Sequence, residues 1–210
     1  MRYDLHVHTL YSACSNLAPG KVLEVAKLRG LDGIAITDHN TIEGALQVKA
    51  LNKDKRFEVI IGEEITTDHG HLLAYYLKRP IKPGSLKNVI EQAHRQKAIV
   101  AFAHPLDILR ENASEAVVRK YARSIDALET YNARILFPWY QQMTADLARI
   151  LGLPGIAGSD AHFSFEVGRA VTLFDGQLKQ VIHQRTTSVQ GSALLGPVGA
   201  AATIFYRFLC

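Results

Sequence analysis

The chain has 210 residues, 48 % of them hydrophobic, which suits one domain with a buried core better than two. Lys and Arg exceed Asp and Glu by 24 to 20, and a formal charge of +4 without a polybasic tract does not by itself argue for nucleic acid. The two cysteines, Cys14 and Cys210, stand nearly at opposite ends with no CxxC spacing, which argues against a disulfide scaffold.

In chain order, short β-rich runs are predicted at residues 3–6, 33–37, 57–61, 99–103, 125–131, 154–157 and 170–174, alternating with stretches of helical period. That alternation is the signature of a parallel α/β sheet or barrel. Val22, Val25, Ala26 and Arg29 mark a helix that stops at Gly30. Ser85 is placed to cap a helix whose inner face is Leu86, Val89, Ile90 and Ala93, and a further helix is expected from about Trp139 to Leu151, ended by Gly152 and Pro154. Residues 71–77 read as an additional short strand beside the barrel. The N-terminus lacks the apolar run of a signal peptide, so a cytoplasmic location is expected. The apolar stretch 193–209, interrupted by Gly196, Pro197, Gly199 and Arg207, falls short of a membrane span and is expected as a helix packing on the barrel bottom.

Of nine histidines, six fall at or just past the end of a predicted strand: His6, His8, His39, His71, His104 and His162. In α/β barrels the C-terminal strand ends form the active-site face, so these rings are expected to converge on one cleft, and Asp38, Glu63, Glu64 and Asp160 accompany them in the sequence. Strand alternation sends both rings of His6-Val-His8 to the same side. Neutral imidazole with carboxylate is the ligand set of Zn, Mn and Fe sites. His69, His94 and His183 read as turn or solvated-face residues. Asn132 and Arg134, after the fifth predicted strand, lie on the expected metal face, and the planar guanidinium suits a phosphate.

Asp4-Leu-His6-Val-His8-Thr9, Ile36-Thr37-Asp38-His39-Asn40, Gly62-Glu63-Glu64, Gly70-His71-Leu72, Ala103-His104-Pro105 and Gly158-Ser159-Asp160-Ala161-His162 resemble, in order and rough spacing, the motifs of the PHP (polymerase and histidinol phosphatase) family. The resemblance spans about residues 1–185, with 186–210 as a C-terminal strand and helix extension. It implies a distorted, TIM-like, seven-stranded (β/α) barrel in a single domain, with two or three divalent ions hydrolysing phosphate esters. Zn, Mn or Fe is favoured over Mg. By that resemblance His6, His8, Glu64 and Asp160 hold a first ion, and Glu64 bridges to a second completed by His71 and His104. His39 and His162 hold a third. The family commonly supplies an Asp or His from the loop after the first strand, where this chain reads Ser12-Ala13-Cys14-Ser15, so Cys14 is a candidate thiolate ligand. Glu63 is expected to be structural, and Asp38 to orient a water or a ligand ring.

The sequence contains neither a Gly-x-Ser-x-Gly elbow nor a P-loop, so no protein nucleophile is called for. The expected substrate is a nucleotide, a short oligonucleotide or a small phosphorylated metabolite, with no membrane and no obligate protein partner inferred. Two alternatives are carried: a metal-dependent amidohydrolase, and a non-catalytic metal-stabilised regulatory module.

Overall fold

The computed structural model describes residues 1–194 and 196–209, without the side chains of Ala200 and of residues 204–209; Cys210 lies outside the described residues. The strands are β1 (Arg2–Val7), β2 (Gly33–Ile36), β3 (Glu58–Thr67), β4 (Gly70–Tyr75), β5 (Ile99–Phe102), β6 (Ala127–Asn132), β7 (Gly155–Gly158), β8 (Ala170–Leu173) and β9 (Ser188–Gly191). The helices are α1 (Pro19–Leu28), α2 (Glu43–Leu51), α3 (Leu86–Arg95), α4 (Glu115–Tyr121), α5 (Pro138–Leu151), α6 (Leu178–Gln184) and α7 (Gly196–Leu209). Ser85 caps α3 by accepting from Asn88 N–H, and Gly152 ends α5 in a left-handed conformation at φ 65°, both at the expected places.

The sheet has nine strands in the order β7-β6-β5-β4-β3-β2-β1-β8-β9, against seven expected. β1, β2 and β3 run parallel, as do β5, β6 and β7, but β4 runs antiparallel to both of its neighbours. The 71–77 segment is therefore a staves-in member of the barrel rather than a strand beside it. Only Asp68 and His69 separate β3 from β4, far too few residues for a parallel crossover. The reversal has a functional consequence: His71 stands at the start of β4, which places it at the same end of the barrel as the C-terminal ends of the parallel strands.

Closure is made by the chain leaving β7. Asp160 N–H donates to His6 O at 2.7 Å and His8 N–H to Ala161 O at 2.9 Å, so the upper half of β1 pairs with this extension while Arg2 and Tyr3 below pair with β8. The barrel interior holds Leu5, Ala35, Leu73, Tyr75, Ala101 and Ile156, and Val181 and Ile182 of α6 cover its lower end. On the outside, α1 and α2 pack Val22, Ala26 and Val48 on β1 and β2, and α3 packs Val89 and Ile90 on β4 and β5. Register shifts between Asp4 and Val7: Tyr3 packs with the interior and Val7 with the helix layer, although both have the same parity. Bulges re-aim side chains in this way, and here the shift turns both His6 and His8 inward.

The tail differs from expectation in one respect. β9 pairs with β8, but α7 lies at the opposite end from the barrel bottom: Thr203 Oγ1 accepts from an Arg134 guanidinium N–H at 2.7 Å, beyond the C-terminal end of β6. No helix among the described residues is long and apolar enough to cross a membrane.

Gly158 is required where β7 meets β1, since a Cβ there would lie 2.6 Å from His6 N and 2.9 Å from His6 Cα, backbone that cannot yield. Gly158→Ala is expected to cost about 2–3 kcal/mol of folding free energy through overpacking, read as a lowered urea midpoint at unchanged m-value.

Candidate metal centre

At the C-terminal strand ends, His6 and His8 from β1, His39 after β2, Glu64 in β3, His71 at the start of β4, His104 after β5 and Asp160 and His162 after β7 come together. Glu64 is the hub. Its Oε2 lies 3.3 Å from His6 Nε2, 3.2 Å from His8 Nε2 and 3.2 Å from His39 Nδ1, and its Oε1 lies 3.1 Å from both His71 Nδ1 and His104 Nε2. Glu63, one residue earlier, points the other way, and its Oε2 accepts from Ile81 N–H at 2.8 Å. Asp160 divides its oxygens: Oδ1 faces His8 Nε2 at 3.2 Å and His6 Nε2 at 3.7 Å, while Oδ2 is taken by Arg110 and, at 3.2 Å, by Asn132 Nδ2.

Ring partners fix the tautomers. His6 Nδ1 donates to Glu129 Oε1 at 2.9 Å. Ser12 Oγ donates to Asp38 at 2.7 Å and lies 3.2 Å from His8 Nδ1, whose N–H it therefore accepts. In the neutral rings both Nε2 atoms are consequently bare lone pairs, and they face one another at 3.1 Å across two carboxylates. Lone pairs and anions held this close, in a site where His6 and His8 are fully buried, suit a cation between them. His71 Nδ1 makes no hydrogen bond despite lying beside Glu64 Oε1, which again suits a shared ion rather than a shared proton.

Electrostatics agree. Burial would lower the His6 ring, but the Glu129, Asp160 and Glu64 carboxylates hold it well above its ordinary value. Burial would raise Glu64, yet His39 and His6 keep it well below the usual carboxylate range, and Arg110 and His6 do the same for Asp160. His162 is pushed well down by burial, His8 and Arg134, and burial takes His39 down to about 4. Backbone conformation carries a cost here too: His104 at φ 28° and Asp160 at φ 55° occupy the left-handed region, worth about 1–3 kcal/mol each for non-glycine residues.

Three groups of donor atoms lie within 4.8 Å of one another among the described residues: His6, His8 and Glu64; His39, Glu64 and His71; and His8, His39 and His162. Cys14 is buried but belongs to none of them. The loop instead turns Ser12 toward His8, and Ser15 Oγ toward the carbonyl of His162 at 3.0 Å, so His8 completes the third group where a thiolate was expected.

Asp38 has no free reach into the cleft: it accepts from Thr9 N–H and Thr9 Oγ1 at 2.6 Å each and from Ser12, and so acts on His8 through Ser12. Asn132 lies behind the centre, bonded to Glu129 and Asp160, rather than in the cavity. Arg134 does line the cavity, a space of about 360 Å³, with its Nε 3.1 Å from Glu166 and its NH1 2.7 Å from His162 Nδ1. Three residues were not expected from sequence. Glu129 anchors His6 and accepts from His104 N–H at 2.7 Å; Arg110 pairs with Asp160; Glu166 accepts from His162 N–H at 2.8 Å. Only Glu129 left a signal, as a carboxylate inside an otherwise strand-forming run, a place where a glutamate stays only if paired.

A barrel that gathers imidazoles and carboxylates at its strand ends defines a metal-binding α/β protein. The chain belongs to the PHP domain family, which it matches over residues 4–168. An uncharacterized protein of Methanocaldococcus jannaschii is 33 % identical over 144 residues, 63 % of this chain and 82 % of that protein. A two-domain protein from Bacteroides vulgatus containing a predicted PHP-like metal-dependent phosphoesterase superposes with a TM-score of 0.78 at 18 % identity, covering 91 % of this chain and 65 % of that one. An amidohydrolase from Chromobacterium violaceum, with bound sulfate, has a TM-score of 0.64 at 13 % identity over 91 % of this chain and 98 % of that one. At these identities the two structures share the fold.

The opposed directions of Glu63 and Glu64 give two expected outcomes. Glu64→Gln should lose bound metal by elemental analysis, and Glu63→Gln should retain it; equal losses would contradict the assignment. Burial pushes Glu63 up to about 7 from 4.5 against the Ile81 N–H. The folded state therefore holds a proton that the unfolded state releases, and stability falls as pH rises between those values. Glu63→Gln should melt higher than the parent at pH 8 and lose that advantage near pH 4, compared in chelator.

Proposed function

We propose that the protein hydrolyses phosphate esters, a small phosphorylated metabolite, nucleotide or short oligonucleotide, with a metal-activated water. The observation that carries this is the convergence of five imidazoles on the two oxygens of Glu64, with the His6 and His8 tautomers fixed by Glu129 and Ser12 so that both Nε2 lone pairs face inward. His6, His8, Glu64 and Asp160 would hold one divalent ion, Glu64, His71 and His104 a second, and His39 and His162 a third; the imidazole and carboxylate set favours Zn, Mn or Fe. Bound there, the ions would lower the pKa of water to give a hydroxide nucleophile and offset charge on the transferring phosphoryl group.

The chain's own residues supply positioning. Arg134, from the loop after β6, lines the cavity with its guanidinium oriented by Glu166, His162 and Thr203, leaving one further N–H on each terminal nitrogen. A bidentate donor set fixed in this way recognises a phosphate in ground and transition states alike. Arg110 lines the same cavity and pairs with Asp107 and Asp160. A guanidinium at the cavity wall, Arg134, suits a phosphate ester better than a neutral amide, which ranks the phosphoesterase reading above the amidohydrolase reading that the Chromobacterium neighbour's name favours. The full donor set argues against a module that has lost its chemistry. The name of the Bacteroides neighbour supports the same class.

The test is a panel of phosphomonoesters, small diesters and amides given to protein loaded separately with Mn, Zn, Fe and Mg. At least one phosphoester should be turned over, chelation should abolish the rate, and His8→Ala should be inactive; no turnover above the His8→Ala rate would sink the proposal. On the best substrate, Arg134→Ala should raise KM roughly tenfold or more, as expected for a lost charged hydrogen bond, with kcat and metal content little changed. An unchanged KM would return Arg134 to a structural role.

A further inference from the structure

A second cleft lies at the other end of the barrel. It has a volume of about 1050 Å³ and is formed where the chain enters β5, β6 and β7 and where α6 closes the interior. Lys97, Arg119, Lys120, Arg123, Lys179 and Arg185 line it, with Asp126 as the one carboxylate among its lining residues. Asp126 Oδ2 is already engaged by Val100 N–H at 2.8 Å, and of the six cations only Arg119 has an acidic partner among the described residues, Glu115 at 2.7 Å.

Basic residues at this end of a barrel have an ordinary explanation: the C-termini of α3, α4, α5 and α6 all meet here, and cations complement helix dipoles. Magnitudes decide how far that reaches. Each helix end carries about half a negative charge, so four ends with Asp126 and the Glu115 that pairs with Arg119 offset roughly two-thirds of six cations. A positive surplus of about two charges stays focused in one concave space.

Backbone conformation gives an independent observation. Lys97 at φ 57° and Arg185 at φ 61° both follow helices in left-handed conformation, a position where glycine is the unstrained choice. Each accepts that cost with a cationic side chain that lines this same cleft. Lys179 is also ordered, its Nζ donating to Lys97 O at 3.1 Å and lying 4.6 Å from the centre of the Tyr76 ring.

We propose that this cleft binds a small ligand bearing two or more adjacent phosphates, free or carried on a nucleoside. Several cations from separate segments around one space suit clustered charge better than a single orthophosphate, and the apolar floor of Ile125, Leu153 and Ile182 leaves room for a carrier. The site is independent of the metal centre and does not rest on the hydrolytic reading.

Calorimetric titration of the full chain in chelator, with tripolyphosphate, ATP and orthophosphate as separate arms, tests it. Tripolyphosphate should bind once per chain and more tightly than orthophosphate, and the ATP arm distinguishes a nucleoside-borne phosphate from a free one. The Lys97→Gly/Arg185→Gly double variant should bind about tenfold more weakly while melting no lower than the parent, because both changes relieve backbone strain. Arg123→Glu should weaken binding likewise, and His8→Ala should bind as the parent does. Unchanged affinity in both cleft variants, loss of binding in His8→Ala, or absence of saturable binding at 0.1 M salt would each overturn the proposal. So would a single-stranded oligonucleotide that binds more tightly than either phosphate ligand.

Discussion

A carboxylate buried at the top of a barrel is expensive unless opposite charge surrounds it. Glu64 is 1 % exposed, and everything that makes its ionised form tolerable comes from a different strand: His6 and His8 from β1, His39 after β2, His71 from β4, His104 after β5. That single requirement links the chemistry to the fold. The barrel must close for Glu129 of β6 and Asp160 after β7 to reach His6 and His8 of β1, which is why Gly158 approaches the His6 backbone so nearly, and β4 must run backwards for His71 to stand at the correct end. The bulge in β1 serves the same end by turning a histidine pair inward below which the strand faces the other way.

Much of this was legible in the sequence, for an identifiable reason. Metal-site motifs are local: His6-Val-His8, Thr37-Asp38-His39 and Asp160-Ala161-His162 each occupy a strand end and the residues directly after it, so strand placement alone puts them on one face. Strand period sends Glu63 and Glu64 to opposite sides, and the family resemblance, with its carboxylate two positions after Gly62, said which of them faces the centre. What failed depended on contacts distant in sequence or on chain direction. Glu129 meets His6 across 123 positions, and nothing near it announces that partner. Cys14 was expected at the third group by loop position, but the donor groups among the described residues do not include it, and from the same loop Ser12 meets His8 and Ser15 the His162 carbonyl. The reversal of β4 was in fact readable, since two residues cannot carry a parallel crossover. β9, exposed along its whole length, has no apolar alternation by which to read it, and the apolar tail gave a helix without saying which end of the barrel it would cover.

The barrel separates its tasks by layer. Ligand-bearing residues sit on strands or directly after them, where rotamers are fixed by packing and by carboxylates such as Glu129 and Asp38. Residues that line the cavity, Arg110, Arg134 and Thr203, come from loops and the tail, elements that differ freely among proteins sharing a fold. On the proposed phosphoesterase reading, substrate choice would lie with the loop 105–112, the loop after β6 and α7, and the capacity to hold metal with the barrel itself.

The role of Glu64 as a carboxylate shared between ions is open to a direct count. Chelator-stripped protein, titrated with Zn(II) or Mn(II) and then freed of excess metal, should retain at least two ions per chain by elemental analysis. Retention of one ion or none would contradict a shared carboxylate and leave Glu64 as an acceptor for histidine protons alone.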